Sequence, residues 1–218
     1  MDNMKINLVG YRDWAKNCFK AFPEHNSFQD NNSFIEYAED CSGRQMFVFI
    51  GWSEIIPLRL IDQHLCICFH PSDLPDFRGG SPLQHQKIAG IEETKLTAFK
   101  MTNEIDAGPI IDKTPLNIFG HLDEVFANLT LASIRLLQKI LTNIWDEEYL
   151  AGIEQEHYKA TYYKRRKPKD SEITIGDLQN KTGKELFEFI CGLEDPYPNA
   201  YITTIDGRKI IFKRVDLE

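Results

Sequence analysis

The chain has 218 residues, enough for one α/β domain with a small appendage. Hydrophobic residues make up 42% and charged residues 27%, the balance of a soluble globular chain, and no apolar run approaches the roughly 20 residues that cross a bilayer. Lys and Arg total 25 against 33 Asp and Glu, and the resulting net charge of −8 disfavours a nucleic-acid partner.

The opening MDNMKINLVGYRDW carries Asp2 and goes straight into a strand-like run, so no secretory signal is expected. Lys5–Gly10 reads as a buried first strand, and Trp14, Cys18, Phe19 and Phe22 follow at helical spacing. The polar stretch from Glu24 to Asp40 has no clear period. Met46–Ile50 (MFVFI) and Leu65–Phe69 (LCICF) are continuous apolar runs, with a short turn or helix at Glu54–Leu60 between them. Such runs alternating with amphipathic stretches predict a parallel sheet covered by helices. Leu96–Met101 and Pro109–Ile118 add two strands. Asp123–Trp145 is the clearest helix, with Val125, Leu129, Leu137, Ile140 and Ile144 on one stripe and two acidic residues in the first turn. Tyr162–Asp170 is basic and contains Pro168, which suits a linker. Beyond it, Leu186–Leu193 reads as a helix, and Tyr201–Thr204 and Lys209–Val215 as strands around the Asp206-Gly207 turn. Five scattered cysteines suit reduced thiols and a cytoplasmic location.

Three groups of residues could carry chemistry. His64, Cys66, Cys68 and His70 alternate and so share one strand face. Neighbours there stand about 6.6 Å apart, whereas zinc bonds run about 2.0–2.3 Å, so core-facing thiols are expected and no metal. FHPSDLPDFRGGSP (Phe69–Pro82) leaves a buried strand as a turn-rich loop, the place where open parallel sheets bind ligands, and His70 stands at its start as a candidate acid or base. In Thr102–Ile111, Asp106 precedes Ala-Gly-Pro, small and stiff residues that let backbone approach a ligand. Taken alone, His70 is equally open to ligand contact and to loop hydrogen bonding, and Asp106 more often caps its own loop than catalyses.

Together, FHPSDLPDFRGGSP and EIDAGPII (Glu104–Ile111) resemble the formyltransferases that use 10-formyltetrahydrofolate, a group that includes methionyl-tRNA, glycinamide ribonucleotide and sugar N-formyltransferases. RRKPKDSEI (Arg165–Ile173) and DPYPNAY (Asp195–Tyr201) resemble the part that follows the catalytic domain in longer members. The resemblance implies an α/β, Rossmann-like, mostly parallel sheet flanked by helices, with a small α+β C-terminal appendage. It divides the chain into a catalytic domain (1–163), a basic linker (164–170) and a small C-terminal domain (171–218). His70 and Asp106 match the family's catalytic set. The family's Asn falls at Cys68, whose thiol is a weaker donor. Among nearby amides (Gln84, Gln86, Asn103), Gln84 is the first candidate to replace it. Cys68 as a covalent formyl carrier is disfavoured, since a buried strand raises a thiol's pKa.

The resemblance also implies a folate loop at Gly51, Trp52, Ser53, Glu54, Ile55 and Ile56, reaching Asp106. Acceptor contacts are expected from Arg78, Gly79, Gly80, Ser81 and Gln84. The implied donor is 10-formyltetrahydrofolate, with no metal. The implied acceptor is a nucleotide-linked amino sugar of surface-polysaccharide or nonulosonic acid type, with no nucleic acid or membrane partner and room for a homodimer. The alternatives are a methionyl-tRNA formyltransferase-like enzyme, or a folate- or nucleotide-sugar-binding protein impaired by Cys68.

Overall fold

A computed structural model describes residues 4–218; the opening residues 1–3, and with them Asp2, lie outside the described part. In chain order the elements are β1 (Ile6–Val9), α1 (Asp13–Phe19), β2 (Asn26–Phe28), α2 (Asn31–Asp40), β3 (Met46–Ile50), α3 (Leu58–Gln63), β4 (Leu65–His70), β5 (Arg78–Gly79), α4 (Pro82–Ile88), β6 (Glu93–Lys100), β7 (Ile110–Asn117), α5 (Leu122–Thr142) and α6 (Glu147–Ala151). The tail adds β8 (Tyr162–Tyr163), α7 (Ile175–Asn180), α8 (Gly183–Cys191), β9 (Ala200–Thr203) and β10 (Lys209–Phe212).

Six strands form the central sheet in the order β2-β1-β3-β4-β6-β7. β2, β1, β3 and β4 are mutually parallel, while β6 runs antiparallel to both β4 and β7. The apolar runs of β3 and β4 are explained by burial on both faces. Met46, Val48 and Ile50 of β3, with Ile67 and Phe69 of β4, face a core shared with α1 and α5. Phe47, Phe49 and Cys66 face a second core, under α2 and α3. Period-two alternation thus divides each strand between two hydrophobic layers. In α5, Leu122, Val125, Leu129, Leu136, Leu137 and Ile140 form the buried stripe that closes the first core.

The stretch without a clear period, Glu24–Asp40, holds β2 and α2. β2 is an edge strand with little buried side chain, so it carries no hydrophobic signature. α2 buries only Phe34 and Ala38, and Asp30 caps it by accepting from the Ser33 N–H at 2.9 Å.

The tail has its own small core of Ile173, Ile190, Leu193 and Ala200. β9 and β10 pair as an antiparallel hairpin. Buried Lys87 of α4 joins this unit to the sheet domain, donating to the carbonyls of Ile118 (2.9 Å) and Gly120 (2.7 Å) and pairing with Glu188 at 3.4 Å. No helix among the described residues is long and apolar enough to cross a membrane. All five cysteines are free.

Candidate active site

The strand order reverses between β1 and β3: the chain moves outward from β1 to β2, then returns to β3 on the other side. Loops leaving the carboxyl ends of strands at such a point diverge and leave a crevice. Gly10 ends β1 so close to its neighbour that a Cβ would lie 2.0 Å from the Ile50 carbonyl oxygen. Gly51 follows β3 with φ +62°, a conformation glycine adopts without a steric penalty. The two loops meet through Tyr11, whose ring lies 5.3 Å from that of Trp52 and whose hydroxyl bonds to Ser53.

His70, the last residue of β4, lies next in the row. Its Nε2 bonds to the Phe77 carbonyl oxygen at 2.8 Å, and a carbonyl can only accept, so Nε2 carries a proton. Nδ1 consequently faces the Asp106 carboxylate, 3.6 Å away. Both groups are largely buried, with side-chain exposures of 7% and 15%. The Asp106 oxygen that faces His70, Oδ2, also accepts from the Gly79 N–H at 2.8 Å.

The loop between His70 and Arg78 is pinned throughout. The Ser72 hydroxyl donates to the Asp76 carbonyl (2.6 Å), Thr97 to the Ser72 carbonyl (2.6 Å), and Gln86 Nε2 to the Pro71 carbonyl (2.6 Å). Asp73 receives Lys95 and Lys113. Burial alone would raise its pKa, but hydrogen bonds from those lysines outweigh burial and lower it. Phe77, Ser81 and Asp106 all have positive φ, of +58°, +57° and +54°. For non-glycine residues this geometry costs on the order of 1–3 kcal/mol each, and such strain concentrates at functional sites.

Cys68, two residues before His70 on the same strand face, is partly exposed. Its pKa is raised well above that of a free thiol, first by burial and then by the neighbouring Asp106 carboxylate. The sulfur therefore stays protonated through neutral pH, which opposes a role as thiolate nucleophile. His64 and Cys66, also on that face, sit in the core: His64 bonds to the Ala38 carbonyl at 2.9 Å.

The expected acceptor contacts need correction at Arg78. Its side chain is 0% exposed, and the guanidinium is consumed by Gln155 Oε1 (3.1 and 2.5 Å), the Tyr162 hydroxyl (2.6 Å) and His157 Nδ1 (3.3 Å). A long cation next to two glycines suggests a ligand contact in sequence, but the fold turns it inward. Gly79 serves Asp106, and the Gly80 N–H donates to the Tyr163 carbonyl at 2.8 Å. Ser81 receives the Arg166 N–H at 3.1 Å. Gln84 is buried in α4, and the hydrogen bonds that hold the His70–Asp106 corner run through Phe77, Gly79 and Gln155 instead. Gln86 is spent on the Pro71 and Pro82 carbonyls, and Asn103 is exposed.

At the expected folate loop the two isoleucines separate. Ile55 is 85% exposed, whereas Ile56 belongs to the second core with Phe49 and Leu60, so they do not line one cavity wall. Trp52 packs edge-on against Phe34, yet its buried Nε1 has no hydrogen-bond partner among the described residues. Glu54 is exposed.

The sequence concealed the role of the segment from Gln155 to Arg166. The expected basic linker is strapped across the site: β8 pairs in parallel with β5, Tyr163 stacks on Phe77 at 4.9 Å, and Arg165 donates to the Ser53 carbonyl at 3.0 Å. Nothing in its composition announces this, because the contacts are made mostly by backbone and aromatic faces.

The family model described as Formyl transferase matches residues 15–131. Curated relatives include the methionyl-tRNA formyltransferases of Bacillus velezensis, 30% identical over 169 residues, and Bacillus subtilis, 31% identical over 173. Each alignment covers 76% of this chain and 51% of the relative, so the chain spans about half the length of the curated relatives it matches. Among solved structures, a methionyl-tRNA formyltransferase from Clostridium thermocellum aligns with TM-score 0.83 and 27% identity over 99% of this chain and 94% of that one. A 4-N formyltransferase from Francisella tularensis aligns with TM-score 0.72 and 20% identity, covering 99% and 98%. HypX from Aquifex aeolicus in complex with tetrahydrofolic acid aligns with TM-score 0.79 and 14% identity, covering 96% and 37%. At these last two identities the likeness is one of fold.

Proposed function

The chain belongs to the formyl transferase family, and on that premise we propose that it moves a formyl group from 10-formyltetrahydrofolate to the free amine of a nucleotide-linked amino sugar. The observation that carries the reading is the His70–Asp106 pair, 3.6 Å apart beside the sheet's reversal point. The loop after β3 fits the donor: the unpartnered Trp52 indole N–H needs an acceptor, and exposed Ile55 offers an apolar face. The donor supplies an activated one-carbon acyl group, whose bond to the folate nitrogen breaks as the bond to the acceptor nitrogen forms.

The chain's own residues manage charge and protons. Nε2–H is anchored on Phe77 and Nδ1 faces the Asp106 carboxylate, and the role of His70 is to stabilise negative charge developing on the formyl oxygen. Asp106 can accept a proton from the attacking amine, which then passes to the departing folate nitrogen. The Cys68 S–H is a weak donor in the place where the family has an amide.

The amino-sugar acceptor is supported by charge. The chain carries −8 overall, the opposite of what a phosphate-tracking surface needs, and in its mostly exposed basic run Arg165 and Arg166 donate to the Ser53 and Asp170 carbonyls. A sugar N-formyltransferase from a Shewanella species, with TM-score 0.73, is among the structural neighbours that share the chain's overall span. The second reading, a methionyl-tRNA acceptor, is favoured by the names of the curated relatives.

Release of tetrahydrofolate from 10-formyltetrahydrofolate decides among them, measured with nucleotide-linked amino sugars, with methionyl-tRNA and with no acceptor. The expected result is turnover only with an amino sugar. Turnover only with methionyl-tRNA selects the second reading, and saturable binding without turnover identifies a catalytically impaired binding protein.

A further inference from the structure

Asp106 is gripped at two points. Its carboxylate accepts from the Gly79 N–H at 2.8 Å, and its backbone carbonyl accepts from Gln155 Nε2 at 3.0 Å. The same Gln155 nitrogen donates its other proton to the Gly108 carbonyl at 2.7 Å, so one amide spans the turn that carries Asp106. Gln155 Oε1 takes two bonds from Arg78, the residue immediately before Gly79. Every donor and both lone-pair directions of this side chain are therefore used, at a residue 5% exposed.

We infer that Gln155 is a positioning residue that locks Asp106 against His70 by clamping the turn of residues 106–108 to the Arg78–Gly79 strand. Two features of the surroundings make such a clamp necessary. Asp106 has φ +54°, which local sterics disfavour for a residue bearing a Cβ. The turn is also crowded: a Cβ on Gly108 would lie 1.9 Å from the Lys100 carbonyl oxygen, so the loop has one way to pass. Arg78 strengthens the arrangement. Its guanidinium bonds to Gln155 Oε1, the Tyr162 hydroxyl and His157 Nδ1, and a cation donating twice to Oε1 polarises the Gln155 amide and sharpens its N–H donors. Buried Arg78 thus acts on Asp106 through Gln155.

The inference rests on the reading that Asp106 serves formyl transfer, but its test needs no substrate. Amide hydrogen exchange is followed on the full chain for two neighbouring backbone groups, Gly79 N–H (to Asp106 Oδ2) and Gly80 N–H (to the Tyr163 carbonyl). In Gln155→Met, near-isosteric but without donors, Gly79 exchange rises on the order of tenfold while Gly80 stays unchanged, as for loss of about one net hydrogen bond. Asp106→Ala sets the ceiling. Gln155→Glu, which gives Arg78 a counter-ion and preserves shape, shows the same selective rise because a carboxylate cannot donate to two carbonyls. Equal acceleration at both amides, in either variant, means that Gln155 only holds the local fold and overturns the inference; so does no change at Gly79. Where wild-type turnover is measurable, kcat falls on the order of ten- to a hundredfold in Gln155→Met with the donor KM nearly unchanged, and an unchanged kcat also overturns it. A wild-type protein without turnover sinks the formyl-transfer reading and leaves the exchange result standing.

Discussion

At the scale of single residues, the site is two charged or polar groups made useful by what their other atoms are doing. His70 can present Nδ1 because Phe77, itself held at positive φ, takes Nε2. In the proposed mechanism Cys68 is the weak donor. Loss of one donor to a developing oxyanion costs about 2.7–4 kcal/mol in other acyl-transfer sites. Cys68→Asn restores an amide donor at a partly exposed position on the same face, so turnover in the tetrahydrofolate-release assay is expected to rise at least about tenfold. A fall would mean that another group already binds the oxygen and that Asn displaces it. The raised Cys68 pKa carries its own consequence: iodoacetamide should label this thiol only slowly at neutral pH, faster as pH climbs toward the raised value where thiolate forms.

At the scale of elements, α5 shows a departure from its own pattern. The helix buries an apolar stripe, yet Ser133 lies within it with a hydroxyl that has no partner among the described residues. Burying an unpaired hydroxyl costs about 1–3 kcal/mol by protein measurements, and Ala is also the better helix former. Ser133→Ala should therefore stabilise the protein by about 1 kcal/mol, read as a higher urea midpoint with unchanged slope. The caps of α7 and α8 follow the rule more closely. Thr174 pairs with Asp177 and Thr182 with Glu185, and these hydrogen bonds lower both carboxyl pKa values. Their contribution is present above the ordinary carboxylate range and fades as pH falls through the lowered folded-state values.

At the scale of the whole molecule, the tail unit is fastened by polar groups buried in its interface. Lys87 reaches two carbonyls and Glu188, and Glu194 takes both His121 Nδ1 at 2.6 Å and the Leu122 N–H at 2.9 Å. Removing one partner strands the other. Lys87→Met should destabilise the chain by about 3–5 kcal/mol in urea unfolding, because Glu188 is left buried without its cation. Lys87→Met with Glu188→Met should recover part of that loss, but not all, since the Ile118 and Gly120 carbonyls also lose their donor. Full additivity of the two substitutions would show that the ion pair contributes nothing.

The sheet and its covering helices were legible in the chain because burial leaves a periodic trace and tight loops demand particular residues: the runs at Met46–Ile50 and Leu65–Phe69, and the Pro- and Gly-rich segment after His70, are local signals of local constraints. β2, α2 and the strap around β8 left no such trace, since little of their surface is buried or their bonds are made by backbone. The inward turn of Arg78, the split between Ile55 and Ile56 and the clamp by Gln155 were decided only in three dimensions. A side chain's type limits which bonds it can make. Its partner, when it lies dozens of residues away in sequence, is chosen by how the packed elements bring the chain back on itself.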